Sequence, residues 1–301
     1  MLRHPDVQLA SPHTQVAFLH KRGEGKDWYL LSNDSAESVA ENFTFSASGT
    51  PSLWDPETGD VREAPVFQQE SKRTTIPLKL LPYSALAVVF EGQRPVNAKP
   101  HLTRADAEVV GSEVTAKGLK VTMETEAQGT VNLTAVRQGQ AVTRTLTQAE
   151  NLTPMVLEGS WLFHLEGEDK PAVSRPLGSW TDAWPNFSGT GWYEKGVVVP
   201  SDWLGTKRKV YLDLGAVQHM ASVRVNGQNA GTRLWSPYRL EITTLLKAGA
   251  NRLEIGVTNT LANRYGQGRP GLREKPASGL LGPVRLTPAK VLESELTWDQ
   301  R

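Results

Sequence analysis

Three acidic residues, Asp182, Glu194 and Asp202, lie among the tryptophans of one stretch of this chain. Two carboxyl groups opposed across a glycosidic bond at roughly 5–10 Å suffice for its hydrolysis. Sequence spacing alone leaves open whether any two of these converge. The run Trp180-Thr-Asp182-Ala-Trp184-Pro-Asn186-Phe187 has a second chemistry available. An indole face stacks on the C–H groups of a pyranose, and Asp and Asn take its hydroxyls two at a time. Arg233, Trp235, Tyr238, Asn263 and Arg264 add donors and aromatic surface if their loops converge on that run. Six of the nine tryptophans fall between Trp161 and Trp235. Trp161 and Trp192 sit in alternating strands and read as core. Trp180 and Trp184 stand between Pro176, Gly178 and Pro185, where no strand can run, so they read as covering a sandwich end or facing a ligand.

Other chemistries find little support. Gly266-Gln-Gly268-Arg-Pro-Gly271 has the letters of a dinucleotide-binding turn, but Pro270 and Pro276 prevent the helix whose N-terminus would hold the pyrophosphate. The six histidines show no ligand spacing on one element, so no metal site is read from them. There is no Gly-x-Ser-x-Gly elbow. Without cysteine there are no disulfides, zinc thiolates or thiol nucleophiles. Thirty-three basic residues against 32 acidic ones, a net charge of +1, argue against a nucleic-acid partner. No apolar run approaches the roughly 18 residues that span a bilayer, so no membrane partner is expected. Met1 to Gln8 has no apolar stretch, so no signal peptide is read there.

The elements that must position these residues are strands. Short runs of β-formers recur every 8–12 residues or so with turn residues between them, and long helical periodicity is nearly absent. The 301 residues allow two or three domains at roughly 100–200 residues each. The pattern predicts an all-β chain of antiparallel β-sandwiches. A small β-sandwich domain is expected over 1–95 and a short β linker subdomain over 96–154. A jelly roll follows over 155–290, and 291–301 forms a tail. The strands between Glu108 and Thr147 look too thin to enclose a core and should pack on a neighbour. Asn226-Gly227 between two alternating runs is a strong hairpin signal.

The jelly-roll block resembles the galactose-binding-like, sugar-binding domain of glycoside hydrolases of family 2. The segments that carry this are Val210-Tyr-Leu-Asp-Leu-Gly215, Ala221-Ser-Val-Arg-Val-Asn-Gly227, Tyr238–Leu246 and Lys247-Ala-Gly-Ala-Asn-Arg-Leu253. A narrower resemblance, over most of residues 13–288, is to the C-terminal region of the α-L-rhamnosidases of glycoside hydrolase family 106. It rests on Phe18-Leu-His-Lys-Arg22 with Trp28-Tyr-Leu-Leu-Ser-Asn33, and on Leu53-Trp-Asp-Pro-Glu-Thr-Gly59 with Pro82-Tyr-Ser-Ala-Leu86. Phe187-Ser-Gly-Thr190, Thr258-Asn-Thr-Leu-Ala-Asn-Arg264 and Ser278-Gly-Leu-Leu-Gly-Pro-Val-Arg285 complete it.

That resemblance implies a bacterial polysaccharide-degrading parent protein, periplasmic or secreted, whose catalytic (β/α)₈-type barrel carries an acidic pair and a sugar-holding calcium. A barrel needs roughly 250 residues of alternating strand and helix, which this chain lacks, so no catalytic residue carries over. The expected role is a non-catalytic accessory region that binds a plant or bacterial glycan and supports a catalytic barrel. Rival readings are a small self-sufficient glycosidase using Asp182, Glu194 or Asp202, and a purely structural fragment. No cofactor is expected; a structural calcium is the one ion such jelly rolls leave open.

Overall fold

The computed structural model describes residues 5–91, 99–168, 171–265 and 277–298. Every strand pairing described is antiparallel. Among the described residues the one α-helix is the single turn Ala262–Tyr265. Two compact units divide the chain: Met1–Asn151 with Val291–Arg301, and Leu152–Lys290.

The first unit opens with a sandwich. Its four-stranded sheet orders Val7–Leu9, Val39–Phe45, Arg73–Leu80 and Gln68–Glu70. Its five-stranded sheet orders Val16–Gly23, Lys26–Asn33, Ala85–Glu91, Pro51–Trp54 and Val61–Glu63. Alternation decides the faces. Phe43 and Phe45 point inward while Asn42 and Thr44 point out; the Phe45 ring meets Tyr29 edge-on and Phe90 at a tilt, and Phe43 stacks on Phe45.

Residues 101–148 add a three-stranded sheet of His101–Ala105, Gly129–Arg137 and Gln140–Gln148, and a hairpin of Glu108–Val114 with Gly118–Thr125. They do enclose a core, and residues 291–298 complete it. The strand Arg285–Thr297 runs on past Lys290, pairs with the hairpin, and buries Leu296 and Trp298 beside Leu102, Val121, Met123 and Leu133. The indole of Trp298 donates to the Gln140 carbonyl at 3.0 Å. A Cβ on Gly118 would stand 2.0 Å from the Leu296 carbonyl oxygen, so this strand approach requires glycine. The expected tail is therefore part of a folded sheet: the thin hairpin has too little apolar surface of its own, and the C-terminal strand supplies it.

The second unit is the jelly-roll sandwich. One sheet orders Val173–Arg175, Trp161–Leu165, Thr190–Val199, Gly249–Thr258, Met220–Val225 and Gln228–Arg233. Facing it, Arg208–Asp213 lies between Arg239–Glu241 and residues 285–290, and Met155–Val156 also pairs with the latter. The core between them holds Trp161, Phe163, Tyr193, Val223, Ile255, Leu212 and Leu286. Asn226 and Gly227 take φ of +52° and +81°, both left-handed, as a two-residue primed hairpin turn demands.

Trp192 departs from the expected core position. It faces outward, half-buried; a Cβ on Gly256 of the adjacent strand would lie 2.9 Å from its ring, and the Arg224 guanidinium stands 4.8 Å from the ring centre. Tyr193 takes the inward position next to it, so alternation leaves Trp192 to cover the surface of a strand that has a glycine there.

Candidate functional site

Register places several loops at one end of the jelly roll. Thr190 pairs with Thr258, Met220 with Thr258, and Ala221 with Arg233. The segments 178–189, 218–219, 234–238 and 259–265 therefore leave their strands at the same end.

Asn259 ties two of them. Its side chain accepts from the Gly189 N–H at 2.9 Å and donates to the Phe187 carbonyl at 2.9 Å and to Ser278 Oγ at 3.0 Å. Ser188 Oγ donates to the Thr260 carbonyl. On the other flank the His219 N–H donates to the Thr258 carbonyl, and the Tyr238 hydroxyl donates to the His219 carbonyl. One chain of hydrogen bonds thus runs from Tyr238 to the tryptophan-bearing loop. Asn259, Ser278 and His219 are not among the sequence-derived site candidates, although Phe187, Asn259 and Ser278 fall within the segments that carry the rhamnosidase resemblance.

The two loop tryptophans part company. The Gly178 N–H donates to the Leu280 carbonyl and the Trp180 N–H to the Ser278 carbonyl, both at 2.9 Å. These bonds hold the indole of Trp180 in the core, 0% exposed, against Phe163, Tyr193 and Phe187. A Cβ on Gly191 would stand 2.3 Å from it. Trp180 is thus a packing residue with no face for a ligand: of its two readings it takes the one that covers the sandwich end, which corrects its place among the candidates for carbohydrate contact. Beneath it, burial pushes the Tyr193 hydroxyl pKa up, partly offset by the Leu280 N–H that donates to it.

Trp184 remains partly exposed, its ring 5.5 Å from Phe163 and 5.6 Å from the Arg175 guanidinium. Asp182 and Asn186 beside it are exposed. Trp235 is 36% exposed, next to exposed Leu234, in the loop before Tyr238. Arg233 donates to the Arg239 carbonyl, and Arg264 stands over the Tyr265 ring on an exposed turn. Tyr238 and Asn263 are buried, which makes them supports for their loops. Surface available to a ligand at this end comes from Asp182, Trp184, Asn186, Trp235 and Arg264.

The three carboxylates do not gather. Glu194 lies on the outer face of its sheet, locked to Arg252 by two bonds of 2.7 Å that also raise the guanidinium pKa. Asp202 belongs to the short turn Ser201–Trp203 beyond the far end of Thr190–Val199. A ten-residue strand spans about 30 Å, which separates Asp202 from the Asp182 end. Such spacing keeps Asp182 and Asp202 from forming the carboxyl pair that glycosidic hydrolysis needs. Among the described residues no group of three or more His, Asp or Glu could hold a metal ion. The Gly266–Gly271 run lies outside the described residues.

Residues 146–266 match the sugar binding domain of the glycosyl hydrolases family 2. A putative beta-glucuronidase of Formosa agariphila is 35% identical over 119 residues, 37% of this chain and 10% of that protein. The beta-glucuronidase of Rattus norvegicus is 30% identical over 138 residues, 35% of this chain and 21% of that protein. The rhamnosidase structure from Novosphingobium sp. PP1Y is similar over 95% of this chain and 25% of its own, at 25% identity and a TM-score of 0.64. The chain spans a tenth to a quarter of the length of these relatives. It contains a sugar-binding β-sandwich of the glycoside hydrolase type.

Proposed function

We propose that this chain is the accessory β-sandwich region of an α-L-rhamnosidase-like glycoside hydrolase of family 106, and that it contacts carbohydrate through the loop end of its jelly roll. The likeness to the rhamnosidase carries the reading, because it extends over 95% of this chain, whereas the beta-glucuronidases match little more than a third. The parent protein is periplasmic or secreted, acts on a plant or bacterial glycan, and holds its chemistry in a catalytic barrel that this region supports.

At the loop end Trp184 offers an indole face, while Asp182, Asn186 and Arg264 supply hydrogen-bonding groups and Trp235 a second aromatic surface. Stacking on one partly exposed ring is worth about 1 kcal/mol beyond the area it buries. Binding by this region alone is then weak, in the roughly millimolar to high-micromolar range.

Calorimetry and affinity electrophoresis over rhamnose- and galactose-containing glycans test the reading. The chain should bind at least one of them, and Trp184→Ala should abolish that binding with little change in melting temperature. Unchanged glycan affinity together with a sharply lowered melting temperature would make Trp184 a packing residue and leave the region a structural one.

A further inference from the structure

The outer face of the four-stranded sheet in the first unit carries a groove of about 480 Å³, within the size range of small-ligand sites. Register builds its floor. Gln8 pairs with Thr44, Thr44 with Thr75, and Thr75 with Gln68, so each strand places one polar residue on a single line across the sheet. Four strands at the usual spacing make that line about 14 Å long, the reach of a short oligosaccharide. Thr44 and Thr75 share a hydrogen bond of 2.9 Å, and Arg73 reaches across to Gln8 Oε1 at 3.1 Å. Asn42 and the apolar Leu9 and Ala10 continue the wall.

We propose that this groove is a second carbohydrate site, for a neutral oligosaccharide of three or four sugars. Its side chains are the reason. Gln8, Asn42 and Gln68 each hold a donor and an acceptor in one plane, which matches the alternating donor and acceptor of neighbouring sugar hydroxyls. Threonine methyls and Ala10 supply apolar surface for sugar C–H groups. Among the described residues the only charges in the lining are Arg73 and Glu70, of opposite sign, so these side chains carry no net charge with which to select a uronate or a phosphate. The Arg73 Nε–H is buried without an acceptor, a donor that gains by turning onto a sugar oxygen. The groove shares no residue with the jelly-roll loops and does not rest on the function proposed for them.

The test titrates the full chain by calorimetry with cello-, xylo-, galacto- and manno-oligosaccharides of three and four units, and with a glucuronate-bearing xylo-oligosaccharide. At least one neutral oligosaccharide should bind, and no better when a glucuronate is added. Gln8→Ala combined with Asn42→Ala should weaken it roughly tenfold, as should the isosteric Thr75→Val. Both variants should keep the melting temperature of the wild type, and Trp184→Ala should leave this binding intact. The proposal is overturned if no neutral oligosaccharide binds, or if both groove variants bind as the wild type does. Binding lost only in Trp184→Ala would likewise overturn the groove while supporting the loop site; binding lost only in the groove variants would do the reverse.

Discussion

Asn226 donates its side-chain N–H to the Oδ1 of Asn251 at 2.8 Å, across two segments of the jelly roll. Asn226 also donates to the Leu245 carbonyl and accepts from the Arg252 N–H. Asn251 accepts from the Lys247 N–H and donates to the carbonyls of Lys247 and Gly249. The asparagines of the Val-Asn-Gly and Gly-x-Asn-x-Leu segments are therefore staples that hold a hairpin turn onto the loop before the Gly249–Thr258 strand. They lie at the end of the sheet away from Trp184, since Val225 pairs with Leu253.

Asn251→Ala strips partners from several part-buried backbone groups at once. It should lower the unfolding free energy by about 2–4 kcal/mol, since each buried group left unpaired costs about 1–3 kcal/mol. Urea denaturation measures this; glycan binding should not change in the folded protein. A loss below about 0.5 kcal/mol would mean the loop holds itself without the staple.

Trp180 and Trp184 should separate stability from binding. Trp180→Ala empties a fully buried site and should cost about 3–5 kcal/mol. Trp184→Ala gives up a partly exposed ring and its cation contact, so its cost should stay below about 2 kcal/mol. Paired denaturation curves check the ratio, and equal losses would contradict the burial difference.

The ring of His101 stacks on Phe67, 4.5 Å between centres, and burial lowers the His101 pKa against the raising effect of the Lys99 carbonyl. The folded state therefore favours neutral imidazole, and the unfolded chain takes up the proton first as pH falls. Stability is full above the ordinary histidine value near pH 6.5 and declines as pH drops toward the lower folded value, levelling off below it. Melting temperatures from about pH 7.5 to 5 should fall less steeply for His101→Phe than for the wild type. Parallel slopes would show that the decline has another source.

Asp182→Asn, Glu194→Gln and Asp202→Asn should leave the hydrolysis of an aryl α-L-rhamnoside by this chain at the level of the blank, where the wild type also stands. Glu194→Gln should cost under about 1 kcal/mol of stability, because the ion pair with Arg252 lies on an exposed sheet face. Saturable turnover by the wild type that any one of these changes removes would restore a catalytic reading for that carboxylate.

Alternating runs such as Val210 to Leu214 and Ala221 to Val225 settled the strands by themselves, because period two puts one set of side chains in the core whatever the partner strand is. Asn226-Gly227 settled the hairpin, because few other pairs tolerate two positive φ values in a row. Long-range pairing decided the rest. Trp180 and Trp184 share one loop with no periodicity, and bonds from Gly178 and Trp180 to residues about 100 positions away draw only Trp180 inside. Residues 291–298 look like a tail until the hairpin at Gly118 meets them, and Glu194 looks available until Arg252, one strand over, closes on it. Which side chain is buried and which carboxylate is paired depends on neighbours that only the folded chain brings together.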